Sequence, residues 1–232
     1  MNEAEFDKFA DEYYAMHAAS ITASGEGPAF FAEYKVRDLA HECRRFQLDS
    51  KGLRVLDFGA GSGNSVPYVA QHLPGASLTC LDVSARSLAL AEARFPGSAR
   101  YVRFEGNGLP FDEGSFDVVF AACVFHHIEP GDHLRLLLEW RRVLRPGGLA
   151  MIYEHNPLNP LTRRVVNSCP FDVNAQLIRA GNMRRRLAEA GLSGTQIRFR
   201  VFFPHVLRAL RPFESLLGRL PVGAQYYAVA RR

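Results

Sequence analysis

The 232-residue sequence has few cysteines and no long apolar run, and each scarcity excludes a class of protein. Its four cysteines stand far apart, with no Cys-x-x-Cys pair. We therefore expect neither a disulfide framework nor a zinc site, and we predict no metal. No apolar run approaches the roughly 18 residues that a membrane span requires. The chain starts with polar and acidic residues, unlike a signal peptide, and we expect a cytoplasmic protein.

Charge is modest overall but unevenly distributed. The net charge of +4 is too small to indicate a nucleic-acid partner, and we predict none. Residues 1–50 carry ten acidic and five basic side chains, whereas eleven arginines and two glutamates occur from Ala175 onward. This basic end is either a solvated face or a surface for an anionic substrate or membrane headgroups.

The order of apolar segments predicts an α/β fold. Apolar residues make up 47% of the chain and charged residues 22%, which is typical of a globular protein. From residue 53 onward, short apolar strands alternate with helical stripes, which indicates a parallel sheet covered on both faces. We predict strands at 53–57, 77–82, 101–104, 116–122, 149–154, 195–203 and 225–230. We predict helices at 4–19, around 36–43 and 66–73, after Ser84, around Leu134, Leu137 and Leu138, and at 173–190.

Proline and glycine mark the irregular parts of the second half. The Arg-Pro-Gly-Gly sequence at 145–148 is expected to end a helix and turn the chain. Three prolines between residues 155 and 172 predict an irregular excursion above the sheet. The segment 204–220 is rich in Leu, Phe and Arg. We expect it to pack on the sheet edge, with a dimer contact or a membrane contact as the alternatives.

A glycine loop follows the first predicted strand. Asp57 ends the strand, and Gly59, Gly61 and Gly63 follow at every second position. Such a loop lets a ligand approach the backbone where a side chain would block it. The spacing differs from the Gly-x-Gly-x-x-Gly fingerprint of dinucleotide binding, and Asp57 disfavours a nearby pyrophosphate. The loop suits instead a ligand with a cationic amino group.

A second carboxylate stands at the end of the next strand. Asp82 lies on the edge where ligands of open α/β sheets bind, and it could accept hydrogen bonds from both hydroxyls of a ribose. A ribose anchor without a pyrophosphate cradle fits a nucleoside that carries an amino-acid tail. S-adenosylmethionine is such a ligand, and a nicotinamide cofactor is the competing interpretation.

Three further motifs follow the glycine loop in order. They are the turn at 106–111, the strand that begins at Phe116, and the sequence from Arg142 to Gly148. Together the four motifs resemble the class I S-adenosylmethionine-dependent methyltransferases, in their broad small-molecule group, over about residues 53–154. The resemblance implies a Rossmann-like, seven-stranded, mostly parallel sheet with helices on both faces and an antiparallel last strand.

The resemblance also implies the organisation of the chain. It predicts a single methyltransferase domain over residues 1–232. Residues 1–50 would form an N-terminal helical extension or lid, and residues 51–154 the cofactor-binding core. Residues 155–232 would supply a substrate-side insertion and the C-terminal strands.

For the cofactor, the resemblance implies a set of contacts at the sheet edge. Asp57, Gly59, Ala60 and Gly61 would surround the methionine portion, with Ala122 and Cys123 on its other side. Asp82 would bind the ribose, while Val83, Asn107 and Gly108 would contact the adenine. Tyr13 or Tyr14 would close over the cofactor, with packing of the N-terminal helix on the domain as the alternative. Lys35, one of only three lysines in the chain, would pair with the cofactor carboxylate.

The acceptor side is less defined. His126 and His127 follow the fourth predicted strand and His155 follows the fifth, so all three are candidate bases for removing an acceptor proton. The acceptor is expected to be a small molecule, lipid-linked or sugar-linked, and the protein a monomer or a homodimer. Peripheral membrane contact stays open. A non-catalytic S-adenosylmethionine-binding regulator and a nicotinamide-dependent oxidoreductase are the alternative functions.

Overall fold

The computed structural model describes residues 21, 24–48, 51–106 and 108–232, and its strands form one seven-stranded sheet. The spatial order is β3-β2-β1-β4-β5-β7-β6. β7 runs antiparallel to both of its neighbours, and the pairs from β3 to β5 are parallel. This confirms the predicted fold class. The strands are β1 Arg54–Phe58, β2 Ser77–Asp82, β3 Arg100–Arg103, β4 Phe116–Ala122, β5 Leu144–His155, β6 Ser193–Arg200 and β7 Gln225–Arg231.

Helices cover both faces of the sheet because side chains alternate sides along each strand. Val55 of β1 packs with α1 and α2, whereas its neighbour Leu56 packs with α4 and α6 on the opposite face. The helices are α1 Pro28–Arg45, α2 Val66–His72, α3 Ala85–Arg94, α4 His133–Val143, α5 Pro160–Ser168, α6 Ala180–Glu189 and α7 Glu214–Leu217. Short 3₁₀ segments lie at Phe125–His127, Pro130–Asp132, Pro170–Asp172 and His205–Phe213.

The sheet order creates a switch point at the carboxyl end of β1. From β1 the chain builds outward through β2 and β3, and it then returns to place β4 on the other side of β1. Connections that leave in opposite directions open a crevice beyond the strand ends, where open α/β sheets bind ligands. Asp57 and Asp82 both stand at this edge, because Asp57 lies in β1 and Asp82 ends β2.

Helix α4 forms where the sequence predicted a helix, and it buries only one of the three leucines that mark it. Leu134 and Leu138 are exposed, whereas Leu136, Leu137 and Trp140 are buried in the core. The leucines at 134, 137 and 138 and the residues at 136, 137, 140 and 143 both have helical spacing. Spacing alone therefore predicts the helix but not which of its faces is buried.

Three boundaries in the second half also differ from expectation. β5 already begins at Leu144, with a register shift against β4, so 145–148 belongs to a strand. The segment 155–172 contains helix α5, whose Asn159 side chain accepts a hydrogen bond from the Thr162 N–H as an N-cap. Helix α6 begins only at Ala180. The predicted helix at 4–19 lies outside the described residues.

Candidate cofactor and acceptor site

A cleft opens beyond the carboxyl end of β1, between the glycine loop and helix α1. Its cavity volume is about 100 Å³. Both sides of the cleft contain residues that the sequence predicted for a cofactor. Its lining includes Pro28, Phe31, Lys35, Asp57, Gly59, Ala60, Gly61, Ser65 and Ala122.

Gly59 and Gly61 have different tasks in the loop. Both have a positive φ, +76° and +52°, which disfavours any side chain. A Cβ on Gly59 would stand 2.5 Å from Val124 Cγ2, so this glycine permits close packing. A Cβ on Gly61 would meet nothing within 4 Å and would project into open space. Gly61 therefore leaves room for a ligand against the backbone.

Asp82 holds the glycine loop to the end of β2. Its two carboxylate oxygens accept hydrogen bonds from the backbone N–H groups of Gly61, at 2.8 Å, and of Ser84, at 2.9 Å. A carboxylate offers about four acceptor positions, so these bonds are compatible with two ribose hydroxyls. Val83, which follows, is buried.

The turn predicted to contact adenine is only partly described. Asn107 lies outside the described residues, as does Tyr13. Gly108 stands near Glu139, whose carboxylate accepts a hydrogen bond from the Leu109 N–H at 2.9 Å. Arg135 also donates a hydrogen bond to the Gly106 carbonyl at 2.9 Å, so helix α4 holds both ends of the turn.

Asp57 is buried and accepts a hydrogen bond from the Ser65 hydroxyl. Burial raises its pKa to about 6, the bond from Ser65 opposes that rise, and the negative charge of Asp82 adds to it. Lys35 supplies the nearby positive charge from helix α1 and is itself buried. A cationic ligand group at this place would favour the ionised form of Asp57.

Cys123 connects the cofactor cleft with the acceptor side. It follows β4 with φ of +62°, and the Lys35 Nζ donates a hydrogen bond to its sulfur at 3.2 Å. Burial raises the pKa of the thiol, but Lys35 and His155 outweigh burial and lower it to about 7. His155 also lies 3.4 Å from the Gln225 side chain, measured between Nδ1 and Nε2. The Tyr34 hydroxyl donates in turn to the Gln225 carbonyl oxygen.

His126 is part of a buried ion-pair cluster. Its Nδ1 lies 2.6 Å from one carboxylate oxygen of Glu154, and its Nε2 lies 3.6 Å from Asp172. Burial lowers the pKa of His126, but the two carboxylates outweigh burial and raise it to about 10. The ring is only 1% exposed. It is therefore a protonated bridge between β4, β5 and the Pro170–Asp172 turn.

His127 has the opposite electrostatic environment. Burial and the positive charge of His126 lower its pKa to about 3, so it is neutral at pH 7. Its Nε2 lies 3.4 Å from Asp172. Ligand atoms of His126, His127 and Asp172 lie within 4.8 Å of one another, a spacing that a metal ion could bridge. Among the described residues, the buried Oδ1 atom of Asp172 has no hydrogen-bond partner.

Sequence reasoning missed several members of the site. Glu154 ends the fifth predicted strand, and no motif indicates Asp172, Tyr34 or Gln225. The four side chains come from three distant parts of the chain and are buried. A buried polar residue at the end of an apolar strand, such as Glu154 or Gln225, is the signal that could have indicated them.

The fold and the cleft define a Rossmann-like nucleotide-binding protein, and comparisons with known proteins narrow this class. Residues 56–152 match the family model described as a methyltransferase domain. The chain belongs to the class I S-adenosylmethionine-dependent methyltransferases, and S-adenosylmethionine is the cofactor of this family.

Curated relatives agree with this assignment. An uncharacterized methyltransferase of Synechocystis is 37% identical over 147 residues, which are 63% of this chain and 64% of the relative. The phthiotriol/phenolphthiotriol dimycocerosates methyltransferase of Mycobacterium tuberculosis is 31% identical over 80% of this chain and 66% of its own length. A demethylmenaquinone methyltransferase of Chlorobaculum tepidum is 35% identical over 44% of this chain and 40% of its own length. The chain thus spans less than two thirds of each of these relatives.

Solved structures share the fold at low sequence identity. A SAM-dependent methyltransferase of Thermotoga maritima gives a TM-score of 0.67 with 16% identity, and the match covers 99% of both chains. Phosphoethanolamine N-methyltransferase 2 of Haemonchus contortus, in complex with S-adenosyl-L-methionine, gives 0.66 with 18% identity. That match covers 98% of this chain and 60% of the other.

Proposed function

We propose that this protein transfers the methyl group of S-adenosylmethionine to a hydroxyl of a lipid-like small molecule. The observation that carries the proposal is the position of His155 beside the wall of the cofactor cleft, in contact with Cys123 and Gln225. The names of two relatives support a lipid-like acceptor, since one acts on a dimycocerosate lipid and the other on demethylmenaquinone.

Different residues of the cleft are assigned to different parts of the cofactor. We assign the amino-acid end to Asp57 and to the loop of Gly59, Ala60 and Gly61, with Ala122 and Cys123 opposite. Lys35 would neutralise the cofactor carboxylate. The open space at Gly61 and the buried Asp57–Lys35 pair of charges support this fit to a zwitterionic tail.

We assign the nucleoside end of the cofactor mainly to residues at the end of the neighbouring strand, β2. Asp82 would bind the ribose hydroxyls, and Val83 and Gly108 would border the adenine. Asp82 already orders the Gly61 amide at 2.8 Å, so one side chain would both shape the loop and contact the ligand. Tyr13 and Asn107 keep their predicted roles as proposals.

When bound, S-adenosylmethionine supplies an electrophilic methyl carbon for an in-line displacement. The protein must then align the acceptor and take up its proton. We assign proton transfer to His155, which borders the cleft wall at Cys123 and lies beside the Gln225 side chain.

The other two histidines are assigned different roles. His126 is a positioning residue, because burial and its bond to Glu154 keep it from the acceptor. A pKa of about 3 makes His127 a weak proton acceptor, since a general base works best with a pKa near the operating pH. We therefore assign His127 to the wall of the acceptor pocket, as an uncharged side chain that takes no part in proton transfer.

A panel of acceptors tests the proposed function. The purified protein would be incubated with S-adenosylmethionine and with long-chain phenols, isoprenoid quinols and polyol lipids. Water-soluble phenols, amines and sugars would serve as the matched comparison, with mass spectrometry as the readout. We expect methylation of a lipid-like hydroxyl. Methylation of water-soluble acceptors alone would contradict the proposal, and cofactor binding without any methylation would favour the regulator alternative.

The variant His155→Ala tests the assigned proton acceptor. We expect kcat to fall by roughly 100-fold or more, because general-base catalysis contributes on that scale, while the Kd for S-adenosylmethionine stays unchanged. His41→Ala replaces an exposed histidine of helix α1 and serves as the control. A kcat within about twofold of the wild type would remove His155 from the mechanism.

A further inference from the structure

Exposed apolar side chains are concentrated in one part of the molecule. Apart from Leu134 and Leu138, every exposed large apolar residue of the described chain lies between residues 158 and 222. Val206 is 85% exposed, Leu216 79% and Leu161 73%. Isolated exposed leucines need no explanation, but such a concentration marks an interaction surface. The expected packing of 204–220 on the sheet edge leaves these side chains uncovered.

Two segments, 158–168 and 204–222, form this surface, which we call the arginine–leucine face. Hydrogen bonds hold the segments side by side. The Asn159 amide donates to the Val222 carbonyl at 2.8 Å, and the Thr162 hydroxyl donates to the Ala224 carbonyl at 2.9 Å. Glu214 accepts from the Phe202 and Phe203 N–H groups and so fixes the start of the second segment.

The charge of the arginine–leucine face has one sign. The two segments contain five arginines and a single carboxylate, Glu214, which is buried. Arg163 and Arg164 are exposed and line a shallow depression with Pro160, Asn167 and Ser168. Guanidinium groups beside apolar side chains match a membrane interface, where phosphates lie just above the acyl chains.

The arginine–leucine face also adjoins the mouth of the cofactor cleft. Arg211 lies 2.7 Å from Glu26 and stacks on the Phe30 ring at 4.5 Å, just before and within the first turn of helix α1. The same turn contributes Pro28 and Phe31 to the cleft lining. A membrane against the face would therefore lie next to the helix turn that lines the cleft.

We infer that the arginine–leucine face docks on an anionic lipid bilayer and presents the cleft to acceptors dissolved in it. The inference deepens the proposed function, because it rests on a lipid-like acceptor and says how that acceptor reaches the site. Electrostatic attraction would bring the arginines to the phosphates, and the leucines and Phe213 would enter the boundary of the acyl chains.

Vesicle sedimentation tests the inference without cofactor or acceptor, so it can fail independently of the proposed function. We expect binding to phosphatidylglycerol–phosphatidylcholine vesicles, little binding to phosphatidylcholine alone, and a decrease with added salt. Arg163→Gln with Arg164→Gln should weaken binding by about fivefold per arginine. Arg184→Gln with Arg185→Gln, another exposed adjacent pair, should have a smaller effect.

Two matched double variants test how much the apolar side chains contribute to vesicle binding. Phe213→Ser with Leu216→Ser should reduce binding by about tenfold or more, because burial of these side chains is lost. Leu134→Ser with Leu138→Ser removes exposed leucines from helix α4 and should leave binding unchanged. Circular dichroism of each variant would confirm that it folds.

Three outcomes would overturn the inference. They are no binding to anionic vesicles, equal binding to neutral vesicles, and an equal loss in the Leu134/Leu138 variant. Light scattering tests whether a second copy of the chain, and not a bilayer, binds the arginine–leucine face. A dimer that Phe213→Ser and Leu216→Ser dissociate, without vesicle binding, would assign the face to self-association.

Discussion

The cofactor cleft and the arginine–leucine face lie side by side but are built by different means. The cleft depends on buried polar groups with fixed partners, such as Asp82 on the Gly61 amide and Lys35 on Cys123. The face consists of exposed side chains with few partners and one sign of charge. A site that must hold one ligand in one orientation needs preorganised groups. Binding to a lipid bilayer, in contrast, requires only exposed apolar area and charge.

The buried His126 cluster gives the largest expected effect. His126→Ala should destabilise the protein by about 3–5 kcal/mol, because it leaves the buried carboxylates of Glu154 and Asp172 without their cation. Urea unfolding at pH 7 measures this loss. Arg163→Ala, on the exposed face, should stay within about 0.5 kcal/mol of wild type. Equal losses in the two variants would erase the distinction between the regions.

The pH dependence of this loss has a defined sign. The pKa of His126 in the folded protein is about 10, above its ordinary value of 6.5. A raised pKa stabilises the fold fully below pH 6.5, and that contribution is lost as the pH rises through 10. The difference in unfolding free energy between wild type and His126→Ala should therefore shrink from pH 7 to pH 10. A constant difference would show that His126 stabilises the fold through packing alone.

Asp82 gives the next largest effect, confined to the cleft. Asp82→Ala should weaken S-adenosylmethionine binding by about 1–3 kcal/mol, because ribose hydroxyls and the Gly61 amide lose their acceptor. Isothermal titration calorimetry measures the affinity, and Asp82→Asn, which keeps one carbonyl oxygen, should lose less. Glu92→Ala, an exposed carboxylate on helix α3, is the control. An unchanged affinity in Asp82→Ala would contradict the ribose assignment.

The sequence carries local signals for the proposed cofactor half of the site and few for the proposed acceptor half, for a physical reason. Gly59, Gly61 and Asp82 are local signals, since a backbone turn or strand end requires those residue types wherever the chain goes next. Glu154, Asp172 and Gln225 act through partners far away in sequence, and no local spacing reveals such pairs. Several leucines of 204–220 are exposed although we expected the segment to pack on the sheet edge, because an apolar residue type alone does not indicate what covers it.

Gly61 gives the smallest expected effect and separates cofactor binding from stability, because a matched glycine exists outside the cleft. Gly52 has φ of +79° and, like Gly61, no atom within 4 Å of an added Cβ. Both alanine variants should lose about 1–2 kcal/mol of stability for the left-handed backbone. Only Gly61→Ala should also weaken S-adenosylmethionine binding, by about tenfold or 1.4 kcal/mol, because its Cβ projects into the ligand's space. Equal affinities in the two variants would mean that the cofactor does not contact the backbone at Gly61.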